Sequence, residues 1–203
     1  MSEGSRKRFF DLAVTVPALL VSLPIQALVA AAVRVKLGSP VLFMQRRPGL
    51  NGEIFTMRKF RTMRPPDLSQ GLISDADRLT SFGAFLRSTS LDELPTLWNI
   101  VRGDMSLVGP RPLLVQYLGR YSPEQARRHE VRPGLTGLAQ VSGRNAVSWQ
   151  RRLELDVEYV DTQTLSGDLA IIGRTVAAVL RRDGITAMGD VTMPEFQPPE
   201  RSR

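Results

Sequence analysis

The sequence predicts a mainly helical α+β protein whose N-terminal helix enters a membrane. Three observations carry this prediction. Residues 12–33 form a run of 22 residues without a charge, and such a run can cross a hydrocarbon core about 30 Å thick. Two short extended segments flank a turn-rich stretch near residue 50, which predicts a small β-sheet. Two later segments repeat apolar residues at helical spacing.

The composition restricts the chemistry that the chain can perform. It has 203 residues, no cysteine and one histidine, His129, which excludes thiol catalysis, cysteine-bound zinc and histidine-rich metal sites. Basic residues outnumber acidic ones by 27 to 20, and residues 1–64 hold eleven basic residues against three acidic ones. The excess surrounds the apolar run, which is typical of a protein on an anionic membrane. Aromatic residues make up only 6 %, which argues against a nucleic-acid groove.

The apolar run allows three interpretations. Arg6 precedes it as in a signal peptide, but the run is long for a signal and basic residues follow it at once. A helix that crosses the membrane would leave basic clusters on both sides, against the positive-inside rule. A helix that bends at Ser22–Leu23–Pro24 and returns would keep both ends in the cytoplasm. Pro24 lacks an N–H, and Ser22 or Gln26 can satisfy the freed backbone groups. From these residues alone, the crossing and re-entrant interpretations both stay open.

Short elements follow the apolar run. Residues 41–46 and 53–61 predict a β-hairpin around an Asn-Gly turn. Ser90 followed by Glu93 predicts a helix that opens with a capping box and ends near Arg102.

Two amphipathic helices are predicted nearer the C-terminus. Apolar residues recur at helical spacing over 148–161 and again from Leu169 to about Gly184. The second helix could lie in the membrane interface or against a core. The chain then has three predicted parts: a basic flank and membrane helix at 1–38, a folded domain at 39–186 and a loosely ordered tail at 187–203.

Residues 87–112 carry the most informative chemical pattern. Asp92 and Glu93 form a carboxylate pair at the start of a predicted helix, where they could simply complement the helix N-terminus. A carboxylate held beside a second, metal-binding carboxylate also suits attack on a phosphorus atom. Pro110 and Pro112 stiffen the backbone around the arginine between them. Basic side chains in compact, turn-rich motifs could clamp phosphate oxygens, namely Lys59, Arg61, Arg87, Arg111 and Arg144.

The motifs, taken in order, resemble those of the bacterial sugar transferases, the monotopic polyprenyl-phosphate phosphoglycosyltransferases. The resemblance runs from about Arg6 to Gly184, and the chain is similar to the small single-domain members of the family. It rests on five motifs: FRTM at 60–63, SLDELP at 90–95, GDMSLVGPRP at 103–112, RPGLTGLAQVSGRN at 132–145 and D-x-x-Y-V at 156–160.

The resemblance implies a reaction and a site. Family members transfer a sugar 1-phosphate from a UDP-sugar to undecaprenyl phosphate with Mg²⁺, at the cytoplasmic face of the bacterial inner membrane. It implies that Asp92 is the nucleophile, that an aspartyl-phosphosugar intermediate forms and that UMP is released. It further implies that Glu93 holds the metal together with Asp92. The Pro-Arg-Pro motif at 110–112 is expected near the uridine and phosphate.

The resemblance also implies a membrane topology and a set of partners. The apolar segment of the family is a re-entrant helix bent at an adjacent Ser-Pro pair, whereas here Leu23 separates Ser22 from Pro24. The expected partners are a UDP-sugar, undecaprenyl phosphate and an anionic membrane, without nucleic acid and with a homodimer as a further candidate. The small members that the chain resembles use N-acetylated amino sugars such as diacetylbacillosamine. The alternative is a catalytically inactive, membrane-anchored scaffold of the same fold.

Overall fold

The structure is a computed structural model that describes residues 3–143, 147–181 and 195–197. Helices dominate the described residues, and the strands form small sheets, which confirms the predicted fold class. The strands are β1 Leu42–Pro48, β2 Ile54–Phe60, β3 Ser106–Val108 and β4 Gly134–Thr136. The helices are α1 Glu3–Leu37, α2 Asp75–Arg78, α3 Ser81–Ser88, α4 Leu97–Arg102, α5 Pro123–Ala126, α6 Leu138–Val141, α7 Trp149–Thr162 and α8 Leu165–Arg181.

Contacts divide the chain into two compact units. Unit 1 contains Met1–Gln45, Thr56–Gly103 and Val176–Thr192, and unit 2 contains Arg46–Phe55, Asp104–Thr175 and Met193–Arg203. The predicted boundary at residue 38 does not separate these units. The reason is that α1 packs into a folded core.

The core of unit 1 combines side chains of α1 with side chains from later in the sequence. Val29 and Val33 of α1 pack with Phe60 and Leu86, and all four side chains are buried. Burial of this apolar surface stabilises the unit and fixes the C-terminal half of α1. This half of α1 is therefore part of the fold.

Two arginines hold the ends of α1. Arg8 donates hydrogen bonds to the carbonyl oxygens of Ile100 at 2.6 Å and Val101 at 2.9 Å, near the C-terminus of α4. Arg61 donates to the carbonyl oxygen of Ser39 at 3.0 Å and also to that of Leu37. A cation at a helix C-terminus satisfies carbonyls that lack an intrahelical partner. Both ends of α1 are thus tied to the same unit.

The apolar segment remains helical through Pro24. Ser22 donates from its hydroxyl to the carbonyl oxygen of Leu19 at 2.9 Å, and Gln26 Nε2 donates to Ser22 Oγ at 2.9 Å. Pro24 has no N–H and cannot donate to the carbonyl of Leu20. The hydroxyl of Ser22 contacts the carbonyl of the preceding residue, Leu19. The polar residues predicted to support a bend therefore contact each other, and the re-entrant path stays a prediction.

The outer surface of α1 suits a lipid environment. Residues 4–37 have a mean hydropathy of 2.1 over their most apolar window, and this is the one described helix long and apolar enough to cross a membrane. Large apolar side chains on it are exposed, including Leu20, Val21 and Leu28. Contiguous exposed apolar surface of this kind marks a membrane or partner contact.

The predicted hairpin and amphipathic helices are present with shifted ends. β1 and β2 pair, and α7 begins at Trp149, where the Ser148 side chain accepts a hydrogen bond from the Arg151 amide at 3.3 Å. α8 begins four residues before the predicted start. Its apolar residues Leu169 and Leu180 are exposed, which favours the interfacial interpretation over a core-facing helix.

The predicted capping box at Ser90 is wrong. Ser90 has a φ of 57°, in the left-handed region, and its side chain makes no capping hydrogen bond. A 3₁₀ segment, Leu91–Thr96, follows and leads into α4. Pro95 lies inside this segment and has no N–H, which favours a tight turn over a regular helix start. Gly103, with a φ of 93°, ends α4 as predicted.

Most of the predicted loose tail lies outside the described residues, as do Gly184 and Arg144. Residues 195–197 are described and differ from the expectation. Phe196 is 2 % exposed and packs with Tyr117, Leu113 and Leu153 in the core of unit 2. The aromatic ring of Phe196 explains this difference, because burying it stabilises the fold more than the polar residues around it in the sequence oppose it.

Candidate active site

Unit 1 brings together four of the predicted site residues. Asp92 lies in the 3₁₀ segment and is 8 % exposed. Glu93 beside it forms an ion pair with Lys59 of β2. Arg87, at the end of α3, donates from Nε to Thr62 Oγ1 at 3.1 Å. Burial lowers the pKa of Arg87, while the charge of Asp92 opposes that shift, so the two charges attract each other.

Two buried polar side chains fix this carboxylate pair against β2. Thr96 donates from Oγ1 to the carbonyl oxygen of Arg58 at 2.9 Å. Asn99 Nδ2 donates to the carbonyl oxygen of Thr56 at 2.7 Å, and Asn99 Oδ1 accepts from the Arg58 amide at 3.2 Å. Thr96 and Asn99 are at most 1 % exposed. Neither residue stands in a motif with a direct chemical meaning, and their polarity within the otherwise apolar stretch 94–101 is the signal that the sequence offers.

Arg61 has a different place from the other predicted phosphate-binding residues. Its guanidinium contacts the carbonyls of Leu37 and Ser39 at the end of α1. These contacts account for the residue as a helix cap. We therefore do not include Arg61 among the proposed substrate contacts.

Unit 1 offers a small number of carboxylate ligands for a metal ion. The described residues contain no cluster of three or more histidine, cysteine, aspartate or glutamate side chains that could hold a metal ion. Asp92 and Glu93 are adjacent in sequence and supply two carboxylates. This number fits Mg²⁺, which is usually bound by one or two carboxylates with water and substrate phosphates.

Unit 2 holds the Pro-Arg-Pro turn through backbone hydrogen bonds. β3 and β4 are parallel, with Ser106 opposite Gly134 and Val108 opposite Thr136. Just beyond β3, the Gly109 amide donates to the Thr136 carbonyl at 2.9 Å, and the Gly134 amide donates to the Pro110 carbonyl at 3.0 Å. A Cβ atom on Gly109 would lie 2.4 Å from the carbonyl oxygen of residue 132. Only glycine permits this close approach.

Side chains donate hydrogen bonds to further backbone carbonyls of the same turn. Arg128 NH2 donates to the Arg111 carbonyl at 2.7 Å, and Arg47 NH1 donates to the Pro112 carbonyl at 3.1 Å. At the other end, the Tyr159 hydroxyl lies 2.9 Å from the Val108 carbonyl oxygen. The turn therefore presents the Arg111 side chain on a backbone fixed from several directions.

A buried ion pair supports Arg128. Its NH2 lies 2.7 Å from Asp156 Oδ2, and both side chains are at most 3 % exposed. Burial has the largest single effect and would lower the pKa of Arg128, but Asp156, Tyr121 and the hydrogen bonds to both together outweigh it, so the pKa lies above its ordinary value. Asp156 and Tyr159 are the two polar members of the D-x-x-Y motif. The motif was visible in the sequence, but its contacts with the turn were not.

Four prolines are among the eight residues that line a narrow crevice beside the turn. His129 reaches it from the 3₁₀ turn Arg127–His129, and its Nδ1 lies 3.2 Å from the Gly49 carbonyl oxygen. Burial, followed by the charge of Arg128, lowers the pKa of His129 to about 4, so the ring is neutral at pH 7. The crevice is lined by Pro48, Pro110, Arg111, Pro112, Arg128, His129, Val131 and Pro133.

Together these features define a membrane-associated protein with a buried carboxylate among cations and a rigidly held arginine turn. Comparison with known proteins gives the family. The model of the family described as bacterial sugar transferase matches residues 2–182, and the chain belongs to this family.

Relatives from several bacteria match most of the chain. It is 51 % identical over 191 residues to the uncharacterised sugar transferase EpsL of Bacillus subtilis, covering 94 % of this chain and 95 % of the relative. It is 44 % identical over 192 residues to a UDP-glucose:undecaprenyl-phosphate glucose-1-phosphate transferase of Caulobacter vibrioides, covering 88 % and 71 %. It is 38 % identical over 196 residues to an undecaprenyl-phosphate galactose phosphotransferase of Salmonella typhimurium, covering 88 % and 41 %.

Proposed function

We propose that this protein transfers a sugar 1-phosphate from a UDP-sugar to undecaprenyl phosphate and releases UMP. The observation that carries the proposal is the buried Asp92 beside Glu93, with Lys59 paired to Glu93 and Arg87 close to Asp92. The names of the relatives from Caulobacter and Salmonella support the class of substrate.

In the first step, a carboxylate oxygen of Asp92 attacks the β-phosphorus of the UDP-sugar. A P–O bond forms to Asp92, the bond between the β-phosphorus and the bridging oxygen breaks, and UMP leaves with that oxygen. Thr96 holds the end of the 3₁₀ segment, and Asn99 holds the following helix α4, so that the carboxylate needs little reorganisation before attack. Arg87 stabilises the negative charge that develops on the phosphoryl oxygens.

In the second step, a phosphate oxygen of undecaprenyl phosphate attacks the phosphorus of the aspartyl-phosphosugar. The bond to Asp92 breaks, the free carboxylate returns and the lipid carries the sugar diphosphate. Arg111 would bind phosphate oxygens bidentately from its fixed turn.

Glu93 and Asp92 would hold Mg²⁺ when it is bound together with substrate phosphates. The metal would neutralise phosphate charge during the transfer. Lys59 already neutralises Glu93 through their ion pair. Metal binding at Glu93 therefore requires the ammonium group of Lys59 to share or release this carboxylate.

We further propose that α1 is re-entrant and that the site faces the cytoplasm at the bacterial inner membrane. Arg8 contacts α4, and Arg61 contacts the end of α1, all within unit 1. A helix crossing the membrane would place one of these contacts beyond a hydrocarbon core about 30 Å thick. A path that enters and returns avoids this conflict.

The test is UMP release from purified enzyme in lipid nanodiscs, with Mg²⁺ and a panel of UDP-sugars. Without acceptor lipid, we expect at most one UMP per enzyme and a phosphosugar adduct on the protein. Asp92→Asn should abolish both, and Glu93→Gln should weaken the Mg²⁺ dependence. Turnover by Asp92→Asn at the normal rate would disprove the covalent mechanism.

The same panel tests the sugar. N-acetylated amino sugars are the class that we propose, whereas the relatives named for a sugar are named for glucose and galactose. Turnover with UDP-glucose or UDP-galactose alone would contradict the proposed sugar class. No release with any sugar would favour an inactive scaffold.

A further inference from the structure

Phe196 is a buried aromatic residue within a segment whose composition predicts a loose tail. Its ring centroid lies 5.6 Å from that of Tyr117, 5.7 Å from that of Tyr121 and 5.4 Å from that of Trp149. Aromatic rings at such distances attract each other beyond the effect of buried area alone. The ring lies in an aromatic groove of unit 2 that is formed by Leu113, Tyr117, Tyr121, Trp149 and Leu153.

The same part of unit 2 binds the polar groups around this ring. The Phe196 amide donates to the Tyr117 hydroxyl at 3.2 Å, and Arg120 NH1 donates to the Phe196 carbonyl oxygen at 2.7 Å. The Glu195 carboxylate accepts from Arg120 NH1 at 2.8 Å and from Gln116 Nε2 at 2.6 Å. Both backbone polar groups of Phe196 are thus paired, which removes the cost of burying them. A ring in a pocket with paired polar groups around it is the contact set of an anchor residue in a peptide-binding groove.

The groove is continuous with the supports of the Pro-Arg-Pro turn. Leu113 directly follows the turn and packs with Phe196. The Tyr121 ring stacks on that of Phe196 with 29° between their planes, and the Arg128 guanidinium lies over Tyr121 at 5.6 Å from its centroid. Arg128 donates to the Arg111 carbonyl at 2.7 Å. Because a packed core relaxes only partly around a cavity, loss of the Phe196 ring would loosen two supports of the turn at once.

We propose that Glu195 and Phe196 form an anchor that docks in the aromatic groove and positions the Pro-Arg-Pro turn. The ligand class of the groove is a peptide with a carboxylate directly before an aromatic ring, and its occupant is this segment of the chain itself. Phe196 is a positioning residue, because it acts on the turn through Leu113 and Tyr121. The proposal rests on the proposed function only for what the turn does in the reaction.

The first experiment measures hydrogen exchange by mass spectrometry on the full-length protein in nanodiscs. The Gly109 amide donates to the Thr136 carbonyl, and the Gly134 amide donates to the Pro110 carbonyl. Exchange in peptides that contain these two glycines therefore reports how firmly the turn is held. Residues 155–160 of α7 report the general stability of unit 2 in the same sample.

Three variants separate the ring from the hydrogen bonds of the anchor. Phe196→Ala empties the groove, and Phe196→Leu keeps an apolar side chain but loses the ring contacts. Tyr117→Phe is the matched control, because it removes the hydrogen bond from the Phe196 amide and keeps the rings in place. Thermal melting is measured for each variant.

We expect Phe196→Ala to speed exchange at Gly109 and Gly134 about tenfold or more relative to residues 155–160, since local opening becomes easier. Phe196→Leu should have a smaller effect in the same direction, and Tyr117→Phe should change exchange less than about threefold. Unchanged exchange at the two glycines, or an equal rise over residues 155–160, would overturn the positioning role. If Phe196→Ala unfolds, Phe196→Leu decides the result by the same criterion.

A second experiment tests the groove with a fluorescent peptide that has the sequence of residues 193–199, followed by anisotropy. Full-length Phe196→Ala should bind this peptide, and binding should slow exchange at the turn again. The wild type should bind it about tenfold or more weakly, because its own anchor occupies the groove at a high effective concentration. The control peptide carries Phe196→Ala. Absence of binding by the Phe196→Ala protein, or equal binding of both peptides, would overturn the groove.

Neither experiment needs turnover, so the anchor and the proposed function are tested separately. In the UMP-release assay, the KM for UDP-sugar should rise in Phe196→Ala and fall when the peptide is added. An unchanged KM would overturn the role of the anchor in the reaction. If the wild type releases no UMP, the proposed function is disproved, and exchange and peptide binding still decide for or against the anchor.

Discussion

His129 gives the protein one titratable side chain whose ordinary pKa lies near 6.5. Its Nδ1 must donate to the Gly49 carbonyl, and its Nε2 is buried without a hydrogen-bond partner among the described residues. The unfolded chain takes up a proton below about pH 6.5, whereas the folded chain does so only near pH 4. Stability is therefore full above pH 6.5 and falls as the pH drops through this window.

We expect melting at pH 5 to show a loss on the order of 1–2 kcal/mol relative to pH 7.5, after allowance for the partly exposed ring. His129→Asn retains a donor toward Gly49 and removes the titration. Its melting temperature should change less between these pH values than that of the wild type. An equal change in both proteins would show that other groups cause the acid sensitivity.

The Lys59–Glu93 ion pair makes a prediction about metal affinity. The ammonium of Lys59 competes with a divalent cation for the Glu93 carboxylate, and both side chains are about one-fifth exposed or less. Lys59→Met should therefore raise the affinity of the nucleotide-free enzyme for Mn²⁺ severalfold, measured by electron paramagnetic resonance, since it removes a cation that competes for this carboxylate. Lys36→Met removes the same charge elsewhere in unit 1 and serves as the control. Weaker or unchanged Mn²⁺ binding in Lys59→Met would contradict the competition.

Local patterns indicate several candidate site residues, but not the partners of those residues. Asp92, Glu93 and Arg111 stand in short motifs with a direct chemical meaning. Arg128 and Asp156 are 28 positions apart, so their ion pair depends on the fold. No local spacing indicates that a tyrosine at 159 would reach the backbone at 108. The motif around Arg61 predicts phosphate binding, whereas packing places the residue at the end of a helix.

Among the elements of secondary structure, α7 has a direct effect on the Pro-Arg-Pro turn. The Tyr159 hydroxyl lies 2.9 Å from the Val108 carbonyl and 2.8 Å from Asp168 Oδ1, and it accepts a hydrogen bond from Gln163 Nε2 at 3.1 Å. Tyr159→Phe removes this hydroxyl and its contacts with two buried acceptors. We expect a loss of about 1–3 kcal/mol in unfolding free energy.

The same variant should raise the KM for UDP-sugar, because the turn that carries Arg111 becomes less fixed. Tyr117→Phe is the control, since its hydroxyl accepts a bond from the Phe196 amide in the aromatic core of unit 2. It should lower stability without a comparable change in KM. Equal changes in KM would mean that general loosening explains the effect.

α1 makes a prediction about membrane topology. Arg8 and Arg61 tie its two ends to unit 1, so residue 5 and the exposed Gln70 should lie on the same side of the membrane. The chain has no cysteine, so Ser5→Cys and Gln70→Cys introduce unique reporters. In intact spheroplasts, neither should react with an impermeant maleimide, and both should react after permeabilisation. Labelling of Ser5→Cys alone would mean that α1 crosses the membrane.

The elements with strong periodicity were predicted more accurately than those at the site. α7 was expected at 148–161 and occupies Trp149–Thr162, because its apolar stripe and its serine cap are local signals. The capping box at Ser90 failed because a left-handed serine and Pro95 favour a 3₁₀ segment there. Neither conformation follows from the spacing of polar and apolar residues.

The chain as a whole depends on α1 for folding as well as for membrane attachment. Deletion of residues 1–37 would remove Val29 and Val33 from the core that they share with Phe60 and Leu86. We expect the remaining chain to lose about 3 kcal/mol or more in stability and to expose this apolar surface. Circular dichroism and dye binding in detergent should show a partly unfolded, aggregating protein. A well-folded, monomeric product would contradict this expectation.

This dependence has a consequence for how such enzymes can be recombined. Exchanging residues 1–37 for the membrane helix of an unrelated protein would replace half of a packed core and the Arg8 contacts with α4. A junction at Gly38 therefore cuts through unit 1, whose segments Met1–Gln45 and Thr56–Gly103 would have to come from the same relative in a chimera. The membrane helix and the segment that carries Asp92 would then be inherited together, because both belong to unit 1.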